Sequence, residues 1–76
     1  MDTHHLVKMA NNIADFFSTE EDKSKAEKSI ADHLKSFWDP RMRREILRHV
    51  DEHGGAGLEE IVLNSLRAHR QELTPR

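Results

Sequence analysis

Trp38, Asp39 and Pro40 break the chain near its midpoint, between stretches whose apolar residues recur at helical spacing. Proline disfavours helical geometry in the residue before it, so one helix should end just before this break. The proline ring also suits the first turn of a new helix, where its missing amide hydrogen costs nothing. We therefore predict a helix from Pro40 to about Glu52 or His53, with the Asp39 carboxylate as its N-cap.

Two helices are predicted before this break. Apolar residues three and four apart indicate a first helix from about Thr3 to Phe17 and a second from about Glu21 to Phe37. The Thr3 hydroxyl is expected to cap the first helix, because it can accept a hydrogen bond from a free amide of the first turn. Either Thr19 or Asp22 is expected to cap the second helix.

A glycine-rich segment follows the predicted third helix. Gly54, Gly55 and Gly57 are expected to end that helix and turn the chain, because glycine is the usual left-handed cap. A fourth helix should begin near Gly57 or Leu58. The last residues, 73–76, are expected to fray.

These patterns predict an all-α fold, a small antiparallel bundle of three to four short amphipathic helices. One domain accounts for residues 1–76, with a core region of about 3–70. The predicted core consists of Leu6, Met9, Ile13, Phe16, Ile30, Leu34, Phe37, Ile46, Val50, Ile61, Val62 and Leu66.

Composition limits the function classes. The chain has no cysteine, so it lacks the thiolate ligands of iron–sulfur clusters and of most structural zinc sites. Its net charge of −2 argues against nucleic-acid binding. No stretch approaches the ~20 apolar residues of a membrane span, and residues 1–5 do not begin a signal peptide. No phosphate-loop or nucleophile-elbow pattern occurs, and we expect no catalytic role.

The histidines suggest a weak metal hypothesis. His49 and His53 are four residues apart and can point the same way from one helix, as half of a zinc site. Their alternative role is to flank the core and bond backbone or solvent. A third ligand would have to come from His33, His69 or the His4-His5 pair. We expect no bound metal or cofactor in this chain.

Arginines cluster on the predicted third helix. Arg41, Arg44 and Arg48 share a stripe that resembles a nucleic-acid patch. Helical spacing lets Arg41 pair with Glu45, and Arg48 with Asp51 or Glu52, which neutralises much of the stripe. An acidic surface on a protein partner suits these arginines better than DNA does.

Some apolar residues lie outside the predicted buried face of their helix, or at its edge. They are Val7, Trp38, Leu47 and Leu63. Such a group suggests a second apolar surface that a partner covers, and tryptophan and arginine are enriched at binding hot spots. The alternative is that the fold buries them internally. We predict that Trp38, Arg41 and Arg43 bind a partner, with Leu47 and Leu63 as apolar neighbours.

The run Phe37-Trp38-Asp39-Pro40-Arg41-Met42 resembles the signature of the delta subunit of NAD-dependent formate dehydrogenases. Residues 6–17 are similar to the family's opening helix, and residues 54–58 to its glycine turn. The resemblance runs in order from about Leu6 to Leu66. The charged stretch at 20–28 departs from the family pattern.

This resemblance implies a place in a cytoplasmic, molybdenum-dependent complex that oxidises formate and reduces NAD. Other subunits of such a complex hold molybdopterin guanine dinucleotide, iron–sulfur clusters and FMN. The chain is then expected to be a cofactor-free accessory subunit that binds the catalytic alpha subunit and stabilises it or helps its assembly. Self-association of the isolated chain stays open. The alternative function is a stand-alone helical adaptor or regulator, with DNA binding less favoured.

Overall fold

The computed structural model describes residues 2–76, and it confirms the all-α fold. No strand occurs among these residues. The helices are α1 (Thr3–Phe16), α2 (Lys23–Phe37), α3 (Pro40–His53), α4 (Glu60–Ala68) and α5 (Arg70–Leu73). The most extensive contacts join α2 with α4 and α1 with α3. The short α5 was not predicted.

Aspartates cap the first three helices. The Asp39 carboxylate accepts a hydrogen bond from the amide of Met42 at 3.0 Å, and Asp22 caps α2 in the same manner. The Asp39 cap was predicted, and Asp22 was one of the two residues expected to cap α2. The cap of α1 is Asp2 and not Thr3, which is already the first helical residue. An aspartate at this position also places negative charge at the positive end of the helix dipole.

The glycine turn between α3 and α4 adopts the left-handed geometry that the sequence predicts. Gly54, Gly55 and Gly57 have φ angles of 63°, 71° and 88°, and Gly54 is the C-cap of α3. Helix α4 begins at Glu60, later than predicted. The positive φ of Gly57 excludes it from a right-handed helix, and Glu59 has an extended backbone with ψ of 151° as the N-cap.

We predicted that residues 73–76 fray, but Leu73 packs against the bundle. This side chain is only 1% exposed and belongs to the core. Two hydrogen bonds of 2.6 and 2.8 Å join the guanidinium of Arg70 to the carboxylate of Asp51, so they link α5 to α3. The Thr74 hydroxyl also donates to the backbone oxygen of Arg70 at 2.7 Å. These contacts hold α5 against the bundle.

The core agrees with the prediction in the middle of the helices and differs near two helix ends. The predicted residues that are fully buried are Leu6, Ile30, Leu34, Ile46, Val62 and Leu66. Four others pack half-buried against them: Met9, Ile13, Val50 and Ile61. The prediction was wrong for Phe16 and Phe37, which are 78% and 74% exposed. The buried faces of α1 and α2 instead include Ala10, Ala14 and Ala31, whose short side chains let the neighbouring helices approach closely.

Candidate partner-binding surface

The corner between α2 and α3 packs into the core of the bundle. Trp38 is only 5% exposed, and it packs in the core together with Leu47, which is 4% exposed. The Trp38 amide still donates to the backbone oxygen of Leu34 at 2.9 Å, and its extended backbone turns the chain after it towards α3. Val7 is buried as well. These residues do not form the exposed apolar surface that we predicted, because the fold buries them internally.

The other residues of the predicted partner surface lie in separate environments. Leu63 is half-buried beside the glycine turn, where its side chain faces Gly55. Arg43 is also half-buried, and its guanidinium donates to the backbone oxygen of Leu73 at 3.4 Å. Arg41 is exposed on the first turn of α3. A role of Arg41 in binding stays a prediction, whereas Arg43 has a structural partner at the end of α5.

Ion pairs on α3 differ from those expected from the sequence. The carboxylate of Glu45 pairs with Arg48, at 2.7 and 2.9 Å, and not with Arg41. It also accepts a hydrogen bond from the Thr3 hydroxyl at 2.8 Å, which links α3 to the start of α1. Hydrogen bonds from Arg48 and then from Thr3 lower the pKa of Glu45. Asp51 binds Arg70 instead of Arg48.

The histidine pair lies beside a groove between α1 and α3. The rings of His49 and His53 lie with their centroids 5.6 Å apart. The Nε2 atom of His49 donates to the backbone oxygen of Ala56 at 2.8 Å, and this hydrogen bond stabilises the glycine turn. Within residues 2–76, no group of three or more histidine and acidic side chains has the arrangement of a metal site.

An asparagine connects the glycine turn to α1. The side-chain amide of Asn11 donates to the backbone oxygen of Gly57 at 3.0 Å, and its oxygen accepts from the amide of Glu59 at 2.9 Å. One side chain thereby bonds both sides of the turn before α4. Positions 11 and 57 are far apart in the sequence, and only the folded chain brings them together.

Four rings form a surface that sequence reasoning missed. We call Phe16, Phe17, His33 and Phe37 the aromatic patch. Neighbouring ring centroids lie 5.2 Å apart between Phe16 and Phe17, 6.3 Å between Phe17 and His33, and 4.7 Å between His33 and Phe37. Phe17 is half-buried and packs against the core. The patch therefore joins the C-terminal end of α1 to that of α2.

Comparison with protein families identifies the chain. It matches the family described as NADH-dependant formate dehydrogenase delta subunit FdsD over residues 5–66. The chain belongs to this family. Comparisons with curated proteins and with solved structures find no match.

The delta-subunit match includes most of the bundle. It extends from α1 to Leu66 in α4, so it contains the glycine turn and all four members of the aromatic patch. Helix α5 follows the matched residues. No helix within residues 2–76 has both the length and the apolar character needed to cross a membrane.

Proposed function

We propose that this delta-subunit chain is a cofactor-free, non-catalytic accessory subunit of a cytoplasmic NAD-dependent formate dehydrogenase. In this role it binds the catalytic alpha subunit and stabilises it or helps its assembly. Membership of the delta-subunit family carries the proposal. Other subunits would hold the molybdopterin guanine dinucleotide, the iron–sulfur clusters and FMN, and the complex would transfer electrons from formate to NAD.

The chemistry of the chain supports a non-catalytic role. The 76 residues contain no cysteine, so they offer no thiolate to an iron–sulfur cluster. The His49 ring bonds a backbone oxygen of the glycine turn, and the His69 ring lies 3.5 Å from the carboxylate of Glu72, three residues along the chain. The polar contacts of Asn11, Glu45 and Asp51 likewise join elements of the bundle to one another. These groups hold the fold together.

The test is co-expression of the catalytic subunit with and without this chain. With the chain present, we expect the two proteins to co-purify in fixed proportion and the catalytic subunit to give a higher yield, molybdenum content or melting temperature. Unchanged yield, metal content and melting temperature, together with no co-purification, would refute the proposal. The purified chain alone should not reduce NAD with formate, and turnover by it would disprove the non-catalytic role.

A further inference from the structure

The ends of α1 and α2 expose two phenylalanines in a chain of only 76 residues. Phe16 is 78% exposed and Phe37 is 74% exposed. Single exposed apolar residues are ordinary on protein surfaces, but these two belong to one aromatic patch. Centroids of successive rings lie 4.7–6.3 Å apart. Contiguous exposed apolar surface of this kind marks an interaction site.

The aromatic patch is preorganised for binding. Phe17 packs half-buried against the core, and it contacts both Phe16 and His33 at their ring edges. The Phe16 ring meets that of Phe17 at 88°, which is the favoured edge-to-face geometry. The backbone of α1 and α2 fixes the points from which the two exposed side chains project. A partner therefore meets both rings on a rigid helical framework, which favours affinity.

The exposed area of the patch is too small for a stable symmetric dimer, which favours a larger partner over a second copy of the chain. At roughly 200 Å² for one aromatic side chain, Phe16 and Phe37 together expose roughly 300 Å². Symmetric pairing of two such patches would bury about 600 Å², half of the ~1,200 Å² that a stable interface requires. A larger protein can surround protruding rings and bury the half-buried residues beside them, such as Ile13.

The grooves of the described part of the chain combine apolar surface with charged side chains. The groove between α1 and α3 is lined by apolar atoms, such as those of Val7, and by charged side chains that include Lys8, Arg48 and Glu52. A second groove is lined by Arg41, Arg44, Glu45 and Arg48. Placing a phenylalanine ring in either groove would desolvate charged groups without giving them new partners.

We propose that the aromatic patch is the surface through which this chain binds the catalytic subunit. This inference rests on the proposed function. The partner surface is an apolar pocket without charged side chains, which receives the rings of Phe16 and Phe37. The Trp38 corner, which the sequence suggested, is internal.

The test compares three forms of the full-length chain in binding to the purified catalytic subunit. The first is the wild type, and the second carries Phe16→Ser with Phe37→Ser. The third carries Arg67→Ala with Gln71→Ala, two exposed changes away from the patch. The patch variant should bind at least about 30-fold more weakly, as expected for the loss of one or more hot-spot residues. The control should bind within about threefold of the wild type, because neutral contacts dominate outside hot spots.

The outcomes separate the inference from the proposed function. If the wild type binds and the patch variant binds equally well, the patch assignment is wrong and the proposed function stands. If the wild type does not bind, both fail. Light scattering of the isolated chain identifies the remaining case: a wild-type dimer that the patch variant loses would assign the surface to a second copy and overturn the inference.

A footprinting measurement on the wild type covers the case in which the patch variant does not fold. Hydroxyl radicals should oxidise Phe16 and Phe37 readily in the isolated chain, since both rings are exposed. Adding the catalytic subunit should reduce oxidation of both rings severalfold and leave the exposed His53 unchanged. Equal oxidation of the two phenylalanines with and without the catalytic subunit would contradict the proposal.

Discussion

Gly55 provides a sharp test of how the turn before α4 is packed. Its φ angle of 71° lies in the left-handed region, and the residue is buried. A Cβ atom added here would overlap Cδ2 of Leu63 and lie 3.3 Å from Cδ1 of Leu58. Gly54 has a similar φ of 63°, but a Cβ added there would have no atom within 4 Å. The two glycines therefore differ in crowding and not in backbone conformation.

The expected costs follow from this difference. Gly54→Ala should lower the free energy of unfolding by about 1–2 kcal/mol through left-handed strain alone. Gly55→Ala has the same strain and adds about 1–3 kcal/mol of overpacking, because Leu63 must move aside. For a domain of this size each 1 kcal/mol lowers the melting temperature by about 4–8 °C. Thermal melts and urea titrations of the two variants measure the two free energies.

A double-mutant cycle separates strain from crowding. Leu63→Ala in the Gly55→Ala background should recover most of the overpacking cost, so the two changes should be less destabilising together than their sum. The same change combined with Gly54→Ala should be additive, since no contact joins that position to Leu63. Equal costs for the two glycine variants, or additive behaviour at Gly55, would refute the packing argument.

Three further predictions concern the core, the pH dependence and metal binding. Leu34→Ala removes a fully buried side chain and should cost about 2–5 kcal/mol in unfolding free energy; an unchanged thermal melt would show that the core lies elsewhere. Burial, and then the neighbouring Asp15 carboxyl, raise the pKa of Glu59 above its ordinary value of 4.5, so stability should fall as pH rises through its titration. Glu59→Gln should therefore melt at a higher temperature than the wild type at pH 7, and the gain should vanish below about pH 4. Elemental analysis of the purified chain should find no stoichiometric metal, and zinc or iron that is lost on changing His49 and His53 would contradict this.

Local features of the fold were predictable because their causes lie within a few residues. Asp39 and Pro40 set the start of α3 through a side-chain cap and a fixed ring, and both act on the first turn alone. Gly54 likewise ends α3 because glycine adopts positive φ without strain. The cap of α1 was misassigned by one residue, since Asp2 and Thr3 both have side chains that can accept from a first-turn amide.

Which side of each helix faces inward was harder to predict, because the answer depends on the partner helix. The apolar arc of α1 runs from Ala14 on one flank, through Leu6 and Ile13, to Phe16 on the other. The buried face of α1 lies towards the Ala14 flank, so the Phe16 flank is left towards solvent. Trp38 was misassigned for another reason. It follows Leu34 by four residues and Ala31 by seven, so it lies on the buried face of α2, whereas the prediction treated it as part of the break before Pro40.

The same reasoning explains why the candidate binding site escaped the sequence pattern. A side chain destined for a partner's apolar pocket and one destined for its own core are selected for the same property, burial away from water. Both recur at helical spacing on an amphipathic helix, so periodicity alone assigns Phe16 and Phe37 to the core. A bundle of 76 residues has a thin core and cannot cover every apolar residue on its helices. Under the proposed function, the catalytic subunit covers these two rings. The sequence pattern then predicts their burial correctly, but it does not indicate which chain buries them.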